Sequence, residues 1–238
     1  GEALQSHGHF TILGYDHTDY YVFVHAKRQV LVRSASSWSE KTLVELAPLN
    51  WWETYFPAMS SKQGRVDQTV AFEWLIGVAH AKGVYDHRRV RGRGAWADAG
   101  RVVFHHGDYL IVDGQRVEIA NVKSRWVYPM SRPMPAPDPE PLTDAEGLHL
   151  LKIAQMARWV REASAPLLAG WLFLSPICGA LRWRPHIWLT GASGSGKSTI
   201  QAKLVHAMLD GIAEHFQGDS SEAGIRQNLC ADAVPALI

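Results

Sequence analysis

Cysteine is scarce, neither sign of charge is in excess, and no apolar run is long enough to cross a bilayer. The 238 residues hold two cysteines, Cys178 and Cys230, without CxxC or Cys/His spacing. That excludes a disulfide scaffold and argues against a zinc site, and the apolar neighbours of both residues predict buried thiols in a reducing compartment. Lys plus Arg number 24 against 23 Asp plus Glu, a formal net charge of +1. Bulk charge therefore gives no argument for nucleic acid or a membrane, and any such contact has to come from a local patch. The longest apolar run, 167–181, is broken by Gly170, Ser175, Pro176 and Gly179 and falls short of the roughly 20 residues a spanning helix needs. It predicts a buried helix and no membrane partner. No signal-peptide pattern follows Gly1, so a processed start and a cytoplasmic protein are expected. With 47% hydrophobic and 20% charged residues, the chain can bury a core, and its length suits one large domain or two smaller ones.

The fold class predicted is α/β, organised around a proline-rich stretch. Six prolines fall between Pro129 and Pro141, which forces an extended path and forbids a continuous helix, so 129–142 is expected to be a linker. Before it, 1–128 reads as an α+β module. Runs 10–15, 20–25 and 29–33 are rich in aromatic and β-branched residues and predict an antiparallel meander. Helices are expected at 40–46 and 67–81, the latter with Val70, Phe72, Leu75, Ile76 and Val78 as its apolar face. A second β group is expected at 89–96, 101–105, 109–112 and 116–119, with turns at 97–100 and at Asp113-Gly114. After the linker, 143–185 reads as a helical lead-in. Thr143 and Glu146 have capping-box spacing, Leu148, Leu151, Met156, Trp159 and Val160 supply an apolar face, and Ser164-Ala165-Pro166 opens a second helix.

The strongest signal is Gly191-Ala192-Ser193-Gly194-Ser195-Gly196-Lys197-Ser198, a complete G-x-x-x-x-G-K-S phosphate loop followed by Thr199. An apolar strand is expected before it at 186–190 and a helix after it at 198–209. Glycines let the backbone turn tightly and aim amides at phosphate oxygens, and the helix N-terminus adds positive partial charge. Lys197 is then the catalytic cation on the β and γ oxygens, and the Ser198 hydroxyl is placed for Mg²⁺. ATP with Mg²⁺ is the expected ligand. A chance Gly/Ser turn is set aside by the full eight-residue match and by both flanks. Further on, a strand at 213–217, a helix at 221–229 and a strand at 233–238 are expected. No acidic residue follows the last of these, so 186–238 reads as an incomplete ATPase core that hydrolyses nucleotide poorly by itself.

The stretch 166–199, with Trp-Leu-Phe-Leu-Ser-Pro-Ile-Cys-Gly-Ala-Leu-Arg-Trp-Arg-Pro-His-Ile-Trp-Leu-Thr before the loop, resembles the ATPase core of primase–helicase proteins of prophages, plasmids and other mobile elements. It is also similar to the staphylococcal cassette-type replicative helicases. Residues 218–229 are similar to the segment preceding the acidic motif in that group. Leu13-Gly14-Tyr15-Asp16, Ala47-Pro48-Leu49 with Trp51-Trp52-Glu53, and Arg91-Gly92-Arg93-Gly94-Ala95-Trp96 resemble its front domain. The resemblance implies an AAA+-like helicase, hexameric when whole, that couples ATP hydrolysis to movement on DNA. The competing class is a nucleotide-regulated DNA-binding or assembly protein that does not unwind.

Other residues invite weaker readings. The window 82–94 carries Lys82, Arg88, Arg89, Arg91 and Arg93 against Asp86. If it is a strand, Arg89, Arg91 and Arg93 share one face and contact the DNA phosphate backbone; the alternative is a solvated or salt-bridged edge. Trp51, Trp52, Tyr55 and Phe56 read as core, with a base-stacking platform as the alternative. His105 and His106 are adjacent on a strand and so point to opposite faces, which argues against a shared metal ion. His7, His9, His17 and His25 lack ligand spacing, and Asp16 with Asp19 reads as a solvated turn pair.

Overall fold

The computed structural model describes residues 8–59, 65–218 and 220–238, so His7 and Asp219 lie outside the described residues. The chain divides into two compact units, Gly1–Arg89 and Val90–Ile238. The whole is a mixed α/β structure with antiparallel sheets and several helices. Among the described residues no helix is long and apolar enough to cross a membrane.

In the first unit β1 (Phe10–Asp16), β2 (Asp19–Val24) and β3 (Gln29–Ser34) form the expected antiparallel meander. Period-two alternation turns Phe10, Ile12, Val22 and Val24 inward. They meet α1 (Glu40–Leu46), α2 (Leu49–Tyr55) and α3 (Gln68–Lys82). Phe10 stacks on Trp52 with centroids 5.9 Å apart, and the Trp52 Nε1–H donates to the Leu43 carbonyl at 2.7 Å. The aromatic group at 51–56 is therefore core rather than a platform: Trp51, Trp52 and Phe56 are buried, and only Tyr55 reaches solvent. Asp67 caps α3 by accepting from the Val70 amide. The inward face of α3 is centred on Ala71, Leu75 and Ala79, and Val70 is exposed.

The second unit opens with an antiparallel meander in chain order, β4 (Gly94–Asp98), β5 (Arg101–His105), β6 (Tyr109–Val112) and β7 (Gln115–Glu118). Asp113 and Gly114 both take positive φ, the backbone an Asp-Gly hairpin turn requires. The compact units part after Arg89, so this sheet belongs with everything that follows it. The start of the proline-rich stretch lies on the sheet: the Ser131 amide donates to Gly107, the Met134 amide donates to His106, and Tyr128 and Met134 are buried. Extended backbone without amide donors at proline suits a strap along a sheet end as well as it suits a linker.

The capping box forms as expected. Glu146 Oε2 accepts from the Thr143 amide, Thr143 Oγ1 accepts from the Glu146 amide, and α4 (Asp144–Gln155) follows. Its inward residues are Leu150 and Ala154, whereas Leu148, Met156 and Val160 are exposed. Of the expected face, Leu151 packs on the cluster around Leu168, and so does Trp159, which lies past the helix end at Gln155 and folds back to donate to the Ala154 carbonyl, whereas Leu148, Met156 and Val160 do not. Then come α5 (Ser164–Leu174), a 3₁₀ segment at Ser175–Ala180, a helix built from α6 (Lys197–Ile200), a π turn at Gln201–Val205 and α7 (His206–Met208), and α8 (Glu222–Leu229). Cys178 is buried, but Cys230 is exposed beyond the last turn of α8, so only one of the two expected buried thiols is found. Strands β8 (Glu214–His215) and β9 (Ala236–Leu237) pair in parallel.

Candidate functional site

Residues 186–190 do not form the expected strand. They run extended, with Ile187 and Leu189 half-buried and His186, Trp188 and Thr190 exposed, but among the described residues no ladder joins them. A strand exists through its neighbours, and the parallel strands β8 and β9 are paired to each other. Ile187 packs on the cluster that holds Leu168 and Leu204, which anchors the entry to the loop.

The loop then reverses the chain. Gly196 is left-handed (φ 90°, ψ 6°) and Lys197 begins α6. A left-handed residue followed by a right-handed one swings successive amides to one side, and a residue with a Cβ pays for that conformation. At Gly191 a Cβ would sit 2.7 Å from Ser195 Oγ, so a side chain there would make that hydroxyl turn away. Among the described residues the amides of Lys197, Ser198 and Thr199 have no acceptor, as the first turn of a helix dictates. Lys197 Nζ donates to the carbonyls of Gly191 at 2.6 Å and Ala192 at 2.9 Å, which holds the ammonium over the loop. Ser198 is exposed in the first helical turn. The residues from Gly191 to Thr199 thus gather amide donors, two kinds of hydroxyl and one cation with no carboxylate among them. Such a donor set fits an anion with several oxygens, and the Ser198 hydroxyl fits a small divalent ion carried by that anion.

The arginine row does not form. Arg89 ends a 3₁₀ turn, His87–Arg89, in the first unit, while β4 starts only at Gly94. Arg88 is held by both oxygens of Asp86 through its Nε and one terminal nitrogen, and that contact keeps the Asp86 carboxyl below the usual carboxylate range. The Arg91 guanidinium lies over Trp126 at 3.8 Å and over Trp96 at 4.6 Å. Arg93 is 12% exposed and binds two carboxylates: Nε donates to Asp232 at 2.8 Å and a terminal nitrogen donates to Glu214 at 3.0 Å. Glycines at 92 and 94 serve the close approach of 231–233 rather than of a phosphate chain: the Gly92 amide donates to Ala231, and a Cβ on Gly94 would run into the Ala233 carbonyl. Local pattern could not show this, because Arg93 and its partners are 121 and 139 residues apart.

The two histidines on β5 and just beyond it separate as alternation requires. His106 Nδ1 pairs with Asp108 Oδ1 at 2.7 Å. His105 is fully buried, its Nε2–H donates to the Pro129 carbonyl at 2.8 Å, and among the described residues its Nδ1 has no partner. Burial lowers the His105 pKa below 6.5. The unfolded chain takes up this proton more readily than the folded one, so stability is full above about pH 6.5 and declines as pH falls below it. His105→Gln keeps a donor for Pro129 and cannot titrate. Its melting temperature is expected to fall less than the parent's between pH 7.5 and 5.5, and an equal fall in both would show that His105 is not the titrating group. Asp16 pairs with His17, across the β1–β2 turn from Asp19. Among the described residues no group of three or more His, Cys, Asp or Glu is placed to hold a metal ion.

No protein-family model matches the chain, and neither a curated protein nor a solved structure is detectably similar to it.

Proposed function

We propose that this chain is the ATP-binding part of a DNA replication helicase of the primase–helicase type, hexameric when whole, which couples ATP hydrolysis to movement on DNA. The observation that carries the nucleotide reading is the loop 191–198, with Lys197 over it and unpartnered amides at the head of α6. The motor and its DNA partner rest on the resemblance of 166–199 and 218–229. In this reading the amides of 197–199 and the left-handed Gly196 cradle the phosphates. Lys197 exchanges two carbonyl contacts for stronger charge-assisted ones to β and γ oxygens. Mg²⁺, when bound with the nucleotide, offsets phosphate charge. Ser198 is the chain's own oxygen toward it.

A second reading, a nucleotide-regulated DNA-binding or assembly protein without unwinding, is favoured by one contact. Arg93 pairs with both Glu214 in β8 and Asp232 ahead of β9, so these two carboxylates serve the packing of this unit rather than hydrolysis. Titration calorimetry with ATP, ADP and adenosine tests what the two readings share: binding is expected for both phosphorylated ligands and not for adenosine. Ser198→Ala is expected to weaken ATP by about three- to tenfold with Mg²⁺ present and hardly at all with EDTA. Equal weakening in both conditions would remove Ser198 from the metal. ATP turnover that rises on adding single-stranded DNA supports the motor; binding without it supports the second reading.

A further inference from the structure

Arg91 and Arg125 belong to a stacked series that sequence pattern did not reveal. The backbone brings it together: the Arg91 amide donates to the Val127 carbonyl, and Val90 bridges Val127 in parallel. Arg91 lies over Trp96 and Trp126, and the Arg125 guanidinium lies 4.3 Å from the Trp126 ring centre. Exposure rises along the series, from buried Trp96 through half-buried Arg91 and Trp126 to exposed Arg125. Lys123, two residues before Arg125, is also exposed, and residues 119–137 contain no Asp or Glu.

A planar guanidinium backed by an aromatic ring is ordered in advance, which lowers the cost of stacking a further flat group on it. Nucleobases are flat, and only an unpaired strand offers its base faces. Adjacent ammonium and guanidinium charge suits the phosphates between them. We propose that Trp96, Arg91, Trp126 and Arg125 form a base-stacking platform for single-stranded nucleic acid, with Lys123 taking backbone phosphate. This rests on the DNA partner proposed above and moves the contact from the arginine row to this series.

The test is fluorescence anisotropy of the whole chain with labelled oligothymidylate of about 20 nucleotides, a duplex of equal length and unlabelled polyglutamate as competitor. All three replacements are at exposed positions, and circular dichroism checks their folding. Arg125→Ala is expected to weaken single-strand binding about tenfold, and Arg125→Lys nearly as much despite its charge, because the flat face is lost. Lys123→Ala is expected to flatten the slope of log affinity against log salt by about 0.7. If Arg125→Lys binds as the parent does, or polyglutamate and duplex compete as well as single strands, the surface is a plain polyanion site and the platform is refuted. If oligothymidylate binds and neither Arg125 variant changes it, the platform fails and the DNA partner stands. If no oligonucleotide binds, both fail, while nucleotide binding is judged separately by calorimetry.

Discussion

Lys197→Ala is expected to weaken ATP binding by between about tenfold and a hundredfold. The side chain contributes one compact charge at the loop, and a hydrogen bond to a charged group is worth about 1.5–3 kcal/mol. The ammonium already lies over the loop, bonded to the carbonyls of Gly191 and Ala192, so little ordering is needed when phosphate replaces those acceptors. Those two contacts also brace the loop, and the loss includes that contribution. Lys197→Met keeps the length and apolar stem but, like alanine, cannot donate to either carbonyl, so it is expected to lose as much affinity as alanine. Calorimetry on the three proteins is the check. Parent-like affinity in both variants would mean that Gly191–Ser198 is a Gly/Ser turn and not a phosphate site.

Arg93→Ala is expected to cost about 3 kcal/mol in stability of the second unit. Arg93 and Asp232 have side chains only 12% and 14% exposed, and Glu214 is 36% exposed. Removing the guanidinium leaves the Asp232 carboxylate largely desolvated with its backbone contact to residue 93 as one remaining partner. Breaking such a pair by deleting one member costs about 3–5 kcal/mol, and the low end applies because Glu214 is partly solvated. Adding Asp232→Asn to Arg93→Ala removes the orphan charge and is expected to recover part of the loss. Urea unfolding followed by hydrogen exchange in peptides covering 94–112 reports on this unit. A loss below about 1 kcal/mol for Arg93→Ala would place the cluster among surface ion pairs.

What was legible in the sequence depended on short-range physics. The meander β1–β3, helix α1 and the Asp113-Gly114 hairpin were all readable, because alternation, capping and turn chemistry act over a few residues. The Thr143–Glu146 box was readable for the same reason, as three residues separate its partners. The loop at 191–198 was readable as a motif because its glycines are needed by its own backbone. The apolar face of α4 was placed only in part, at Leu151 and Trp159, and Met156 and Val160 missed it because periodicity does not mark where a helix stops. The strand before the loop was misplaced because a strand is defined by a neighbour, and the neighbouring pair formed elsewhere.

By itself the sequence determined the capped helices, the tight hairpin turns and the glycine-rich loop, since each depends on a residue's own conformational preferences and near neighbours. Only the tertiary structure decided what the arginines do. Arg88, Arg91 and Arg93 are alike in pattern, yet one faces a carboxylate, one lies on tryptophans and one is enclosed by two acids. Trp126, Glu214 and Asp232, which hold Arg91 and Arg93, come from distant parts of the chain. A guanidinium's energy is set by whatever lies within a few ångströms of it, and chain separation carries no information about that distance.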